Sequence, residues 1–222
     1  MESTNSKPSI KVKRTDDFSL ENTDSFYWNQ TNWIKLTQLD KYGKSTEYET
    51  KVKILYSDKG LYFLFVCEDN LLNASYESDF SPLWKEDVVE VFIWPDENFP
   101  VYFEYEISPL NYELPLMVSN IEGEMTRWVP FMYEENRKTR HSTIIEGGPK
   151  RYGASIKQWT AKFFIPYKLL RPLNNIPPKK DTQWNINLYR IDYTQLGDIK
   201  WAWQPISKSF HEYQKFGTLI FT

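Results

Sequence analysis

The sequence predicts an all-β chain: a two-sheet antiparallel β-sandwich of jelly-roll type with one or two short helical turns. Three observations carry that expectation. Roughly ten short apolar or alternating stretches are separated by turn residues, the pattern of a sandwich or barrel. No stretch sustains the 3.6-residue periodicity of an amphipathic helix. A chain of 222 residues with no internal repeat and no dividing linker suits one all-β domain.

The N-terminal stretch is polar, so residues 1–14 are expected to form a flexible tail and residues 15–222 a single domain. Trp28 and Trp33 follow in a segment rich in Asn and Thr. Then comes a hairpin. Val52, Ile54 and Tyr56 share one parity and alternate with the lysines Lys51 and Lys53; Ser57-Asp58-Lys59-Gly60 supplies the turn, and Leu61 to Cys67 returns as a fully apolar strand. A second hairpin joins Val88–Trp94 to Val101–Ile107 through Pro95-Asp96-Glu97-Asn98. Further strands are expected at Leu116–Asn120, Trp128–Tyr133, Ser142–Ile145, Ser155–Ile165, Trp184–Asp192, Lys200–Gln204 and Thr218–Phe221. Pro166 to Leu170 reads as one helical turn opened by proline, and Asn174 to Asp181 as a loop.

Composition excludes several classes. The net charge is −3 with both signs interspersed, so no basic stripe for nucleic acid is built. The longest apolar run, Leu61 to Cys67, is far too short to span a bilayer. The single cysteine, Cys67, allows neither an internal disulfide nor a thiolate metal cluster, and its apolar surroundings predict a buried, inert thiol. Met1 to Lys13 lacks the apolar core of a signal peptide, which leaves a cytoplasmic location, or a periplasmic or extracellular one after removal of an export signal. An apolar fraction of 41% is enough for a real core. The chain also holds 9 Trp, 15 Tyr and 14 Phe. A thick aromatic core takes most of them, but nine large, N–H-bearing tryptophans are hard to hide completely, so some should line a surface.

Alternation assigns the faces, because residues i and i+2 point the same way along a strand. Val89, Val91 and Ile93 face the core, and Val88, Glu90, Phe92 and Trp94 face away. Val101, Phe103, Tyr105 and Ile107 face the core, and Tyr102, Glu104 and Glu106 face away. Trp184, Ile186 and Leu188 face the core, and Asn185, Asn187 and Tyr189 face away. Carboxylates, amides and aromatics on one surface suit a sugar, whose hydroxyls hydrogen-bond in pairs while its C–H face packs on a ring. A plain solvated face, or an edge kept polar against aggregation, would look the same at this level. Trp128, Trp159 and Trp184 read as core, and His211 as a loop hydrogen-bonder.

Five motifs, in order, carry a resemblance. They are Leu83-Trp84-Lys-Glu-Asp-Val-Val-Glu90-Val-Phe92 with Tyr102-Phe-Glu-Tyr-Glu-Ile-Ser-Pro109; Trp159-Thr-Ala-Lys-Phe-Phe-Ile-Pro166 followed by Leu169-Leu170; Trp184-Asn-Ile-Asn187-Leu-Tyr-Arg190; Trp203-Gln-Pro205; and Phe210-His211 with Phe216-Gly-Thr-Leu-Ile-Phe221. Together the set resembles family 9 carbohydrate-binding modules and their relatives in the DOMON-like β-sandwich group. The resemblance implies a non-catalytic protein that clamps a sugar between two tryptophans, with a carboxylate and amides reading the ring hydroxyls, in the service of polysaccharide or glycan catabolism. By motif, Trp84 is the first tryptophan and Glu90 the carboxylate; Trp203, or alternatively Trp201, is the second tryptophan. Glu104 to Asn111 falls where further polar contacts are placed, with Asn111 where members often carry a basic residue, and Asn187 is a candidate amide. No cofactor is required. Some members hold structural calcium, for which Glu68-Asp69 would serve, although no spaced ligand loop is present. The expected partner is an oligosaccharide or a polysaccharide end, and a monomer is expected.

Two other classes compete. Glu104 and Glu106 share a strand face with Cα atoms roughly 6.7 Å apart, near the about 6.5–9.5 Å carboxylate spacing of inverting glycoside hydrolases. Neighbours on one strand, however, approach a sugar from one side, whereas hydrolysis needs them on opposite sides. Haem binding of the kind seen in DOMON-like cytochrome domains would need His141, His211 or one of four Met as axial ligand, and no C-x-x-C-H attachment is present.

Overall fold

β-Branched and aromatic residues, bounded by Gly, Pro, Asn and Asp, build fourteen strands in the computed structural model. It describes residues 7–21, 25–39, 47–131, 133–195 and 197–222. The first seven strands are β1 (Ser9–Arg14), β2 (Ile34–Lys35), β3 (Thr37–Leu39), β4 (Thr50–Tyr56), β5 (Gly60–Glu68), β6 (Val88–Trp94) and β7 (Val101–Ile107). The remainder are β8 (Glu113–Ile121), β9 (Glu124–Pro130), β10 (Arg140–Glu146), β11 (Gln158–Pro166), β12 (Gln183–Thr194), β13 (Gly197–Ala202) and β14 (Gly217–Phe221). Among the described residues, helix is confined to α1 (Ser25–Trp28) and three 3₁₀ turns at Leu83–Lys85, Glu135–Arg137 and Tyr213–Lys215. The helical turn expected from Pro166 is a hydrogen-bonded turn, closed by Leu169 N–H on Pro166 O at 2.9 Å. No helix among the described residues is long and apolar enough to cross a membrane.

The all-β expectation holds, but the strands are not parted into two separate sheets. Hydrogen bonds run unbroken through β10-β11-β5-β4-β1-β14-β12-β6-β7-β8-β9, with β13, β3 and β2 attached at the side. The link is β1. Its first half, Ser9 to Val12, pairs in parallel with β14, and its last two residues, Lys13 and Arg14, pair in parallel with β4. The path curls over through this strand, so that one face of β4, β5 and β11 meets one face of β6, β7 and β12. Part of the stretch expected as a tail, residues 1–14, is therefore a strand in the middle of the path, and residues 1–6 lie outside the described residues. Sequence reading missed β1 because Lys11, Lys13 and Arg14 hide the buried Val12 among charges.

Where the curled faces meet lies the main core. Val89, Val91, Ile93, Phe103, Tyr105, Ile186 and Leu188 pack there against Val52, Ile54, Phe63, Phe65 and Phe163, as the parity of each strand requires. Tyr105 and Phe163 meet across it with ring centroids 4.8 Å apart. Trp159 and Trp184 are buried in it as expected, and so is the Cys67 thiol, pushed up to about 12 by burial.

Both outer faces are covered as well. Phe18, Leu20 and Trp28 fold over Leu55, Tyr62, Leu64 and Phe164. On the far side, the chain beyond β13 doubles back across β6, β7 and β12. There Phe210 stacks on Tyr189 at 4.0 Å, and Phe216 packs on Phe92 and Tyr102. The polar face expected to look outward is therefore largely enclosed, and every residue of β6 is buried. Three apolar layers, and not one, absorb the large aromatic content.

Candidate functional site

Glu90, Glu104 and Glu106 share the outer face of two adjacent strands. Glu90 lies directly opposite Glu106, and Glu104 is paired with Phe92 two residues along. Like charges placed opposite one another in a sheet repel, and the covering loop removes the water that would screen them. Burial pushes the Glu104 carboxyl up to about 8. Burial and the neighbouring Glu104 raise Glu90 well above the usual carboxylate range, with Lys200 pulling the other way. Glu106 is raised by burial and by both neighbours. Beside Glu106 stand the Trp84 backbone and the Glu104 carboxyl, but no well-aligned donor among the described residues reaches either Glu106 oxygen or Oε2 of Glu104. Such orphaned polar atoms are costly to bury, which makes them worth explaining.

A cavity of about 640 Å³ opens over two of the three. Glu90 and Glu104 form its floor, Trp84 and Trp128 stand at one wall, and Phe210 and His211 come from the covering loop. Glu106 does not line it. Trp84 sits in the 3₁₀ turn that follows Pro82, half-buried, and its indole meets Trp128 edge to face, centroids 5.4 Å apart at 71°. Trp128 was expected in the core. It is 40% exposed because β9 ends the strand path, and all seven of its residues are exposed. His211 is the hydrogen-bonding loop residue expected of it: Nδ1 is 2.6 Å from the Tyr102 hydroxyl, and the main-chain carbonyl accepts from Asn120 Nδ2 at 2.7 Å. Burial lowers its imidazole to about 4, so it is neutral at neutral pH, and its Nδ1 lies 4.0 Å from Glu104.

Four other candidates are not brought to this cavity. Trp203 lies just past β13, its ring against Gly217, where an added Cβ would come within 2.4 Å of the indole. Trp201 is buried, with the Arg190 guanidinium 4.6 Å over its ring. The equal parity of Trp201 and Trp203 misleads because the strand stops at Ala202. Asn187 is buried, and the protein itself satisfies it. Its Nδ2 donates to Tyr189 Oη and Gln204 O, and its Oδ1 accepts from Leu188 N and Gln204 N. The amide pins the covering loop to β12 and has no capacity left for a ligand. Asn111 sits in the β7–β8 turn at φ 78°, with Oδ1 3.1 Å from His141 Nδ1. Sequence reading missed Trp128, Phe210 and His211 as cavity residues. Only the Phe210-His211 motif signalled the last two.

Asp69, Asp87 and Asp192 converge nearby, one oxygen from each lying within 4.8 Å of the others. Calcium takes about six to eight oxygen ligands. Here a cation is already built in. Arg190 Nη2 is 3.0 Å from Asp69 and 3.3 Å from Asp192, and Nη1 donates to Thr50 Oγ1 and Glu68 O. The backbone N–H of Leu71 donates to the other oxygen of Asp69, and those of Asn73 and Tyr193 donate to the two oxygens of Asp87. The Glu68 carboxylate turns away to accept from Glu49 N. The guanidinium already supplies positive charge to this cluster, and the amides take one oxygen of Asp69 and both of Asp87, which leaves few free directions for the roughly six to eight oxygens of a calcium site.

Residues 22–140, just over half of the chain, match the family model described as carbohydrate family 9 binding domain-like. The chain is 26% identical over 183 residues to an extracellular protein of Arthroderma benhamiae, covering 78% of each. It is also 26% identical over 192 residues to endo-1,4-beta-xylanase A of Thermotoga neapolitana, where it spans 86% of itself and only 16% of the enzyme. Among solved structures, a candidate carbohydrate-binding protein from Bacteroides uniformis superposes with a TM-score of 0.81 at 16% identity, over 98% of this chain and 100% of that one. A family 9 carbohydrate-binding module from Caldicellulosiruptor kristjanssonii, solved with cellotriose, superposes with a TM-score of 0.68 at 14% identity, over 97% and 94%.

Proposed function

This chain belongs to the carbohydrate family 9 binding domain-like family, and from that premise we propose that the cavity over β6 and β7 holds one pyranose unit of a neutral glycan without cleaving it. The observation that carries the proposal is the unpartnered, buried Oε2 of Glu104 on the floor of a cavity walled by two tryptophans. A sugar hydroxyl donating to that oxygen, and another donating to Glu90, would each add a hydrogen bond worth about 0.5–1.5 kcal/mol, because burial keeps both carboxyls largely protonated at neutral pH.

The resemblance implies a parallel clamp of Trp84 and Trp203. With Trp203 seated on Gly217, we place the second aromatic surface at Trp128. The two indoles then form a corner, one offering its face and the other its edge. Stacking on one indole removes on the order of 100 Å² of apolar surface from water, about 2.5 kcal/mol. A second surface adds to that without a second cost of immobilising the ligand. Binding is favoured over hydrolysis because a cleaving pair must flank the sugar. Glu106, the partner Glu104 would need, is fully buried and does not line the cavity. A module that holds the substrate for a separate catalytic unit in glycan breakdown fits both the site and the family.

Calorimetric titration with cellotriose tests this reading. Trp84→Ala and Trp128→Ala are each expected to weaken binding more than tenfold, about 1.4 kcal/mol, while the fold is retained by circular dichroism. Full affinity in both variants would remove the cavity from the function. Reducing sugar released by the wild type, and lost in Glu104→Gln, would replace binding by hydrolysis.

A further inference from the structure

Ile206 to His211, consecutive residues of the covering loop, form one wall of the cavity over β6 and β7. No strand pairing holds their main chain. The two ends of the stretch are fixed from the sheet. At its start Asn187 Oδ1 accepts from Gln204 N at 2.9 Å. At its far end the Tyr189 hydroxyl donates to Phe210 O at 2.9 Å, and Asn120 Nδ2 donates to His211 O at 2.7 Å. Between these pins Ser207, Lys208 and Ser209 are exposed, and among the described residues no carbonyl of the sheet accepts from their N–H groups.

A single side chain takes all three. Glu212 Oε2 accepts from Ser207 N at 2.9 Å, and Oε1 accepts from both Lys208 N and Ser209 N, the latter at 3.2 Å. Ser209 Oγ accepts from His211 N at 3.1 Å, and Glu212 N returns to Ser209 O at 3.3 Å. Successive N–H groups turned toward one point make a concave site for an anion, and hydrogen bonds to an ionised acceptor are roughly twice as strong as neutral ones. Here the chain supplies its own anion, from the residue that precedes the 3₁₀ turn at Tyr213–Lys215. Burial by itself would raise the Glu212 carboxyl, but the three N–H groups, with Lys215 in support, bring it below the usual glutamate range. The group is therefore ionised at neutral pH.

We propose that Glu212 is a positioning residue for the carbohydrate site: its carboxylate gathers Ser207 to Ser209 into a fixed wall, so that the cavity is formed before a ligand arrives. This role rests on the sugar-binding reading of that cavity. Glu212 does not line the cavity and acts only through the main chain it holds. Ordering the loop during folding spares binding that entropic cost. Without the carboxylate the three N–H groups turn to water, and the stretch between the two pins samples other arrangements. With the wall in place in about a tenth of the molecules, affinity falls about tenfold. The fold as a whole does not depend on it, because Glu212 is only half-buried and Phe210 and His211 keep their bonds to Tyr189 and Asn120.

Two measurements on the whole chain test this. In an NMR pH titration, the amide protons of Ser207, Lys208 and Ser209 are expected to shift together in the wild type, with one midpoint below the usual glutamate range, and to stay in place in Glu212→Ala. His211 in the same loop, lowered to about 4 by burial, and Glu104, 4.0 Å from its Nδ1 and raised to about 8, also titrate. A common shift that persists in Glu212→Ala would belong to one of them and overturn the proposal. Calorimetric titration with cellotriose is expected to show about a tenfold loss in Glu212→Ala. Glu212→Gln, which keeps one acceptor oxygen, should fall between that variant and the wild type, and both variants should keep the wild-type melting temperature. Equal affinity in the wild type and Glu212→Ala, or a loss of affinity only in step with a lowered melting temperature, would also overturn it. A wild type that leaves cellotriose unbound, while the three amides titrate with Glu212, would sink the sugar-binding reading and leave the wall held by Glu212 standing.

Discussion

Glu104 is a carboxyl group enclosed by a folded-back loop on a strand whose pattern alone would leave it in water. Its pKa, pushed up to about 8 by burial, has a definite consequence for stability. The folded state holds this proton more tightly than the unfolded chain does, so the neutral form is the stable one. The stability it confers is fully present below the ordinary glutamate pKa and is lost as pH rises through about 8. Removing the titration should remove that loss. Glu104→Gln is expected to melt higher than wild type at pH 8, by about 2–4 °C for each kcal/mol recovered, and to show little difference at pH 5. Thermal melts at the two pH values check this, and an equal shift at both would mean that burial of charge is not the cause. Trp203 makes a separate residue-scale forecast. Its ring rests on Gly217, so Gly217→Ala must push the indole off and is expected to cost about 1–3 kcal/mol. A Gly217→Ala chain with wild-type melting would return Trp203 to the list of free platforms.

At the scale of elements, pattern reading succeeds for β6, β7 and β12 and fails for β1. The faces of β6, β7 and β12 follow from alternation, because a pleated strand leaves each side chain no choice of side. Whether the opposite face meets water is decided by what folds over it. For these three strands that is the chain between β13 and β14, pinned by Asn187 and Tyr189. β1 was hidden for a related reason. Only Val12 in it is buried, and its hydrogen bonds go to β14 and β4, both remote in sequence. A chain beginning at Thr15 should therefore lose the strand that joins the two halves of the path. Its melting temperature is expected to fall by roughly 10 °C or more, several kcal/mol at 2–4 °C each. A truncated chain that melts with the full-length one would show that β1 contributes nothing.

Across the whole molecule, Arg190 connects what the sheet path separates. From β12 it reaches Thr50 at the start of β4, Glu68 at the end of β5, and Asp69 beyond it, while its guanidinium lies over Trp201 of β13. It is fully buried. Breaking such a pair leaves uncompensated buried charge, and Arg190→Met is expected to cost about 3–5 kcal/mol. Because Asp192, already raised to about 6 mainly by burial, would rise further without the guanidinium, the loss should shrink on going from pH 7 to pH 5. Denaturant titration at the two pH values measures it. A loss under 1 kcal/mol at pH 7 would make the arginine a passenger.

The sequence by itself determined that this protein is all-β, which side of most strands faces the main core, and that Trp84 and Glu90 lie close enough in the chain to line one cavity. Each of these depends on residues close in the chain: two-residue alternation, local turn chemistry, and a tryptophan six residues before a glutamate at the start of a strand. Only the tertiary structure decided that β1 welds the strands into one curled path, that the Trp203 ring lies against Gly217, and that Trp128 meets Trp84. It also closed the acidic cluster with an arginine. Those outcomes turn on contacts between segments tens of residues or more apart, Trp84 with Trp128 and Arg190 with Asp69. Alternation says which way a side chain points, but not which distant part of the chain comes to meet it.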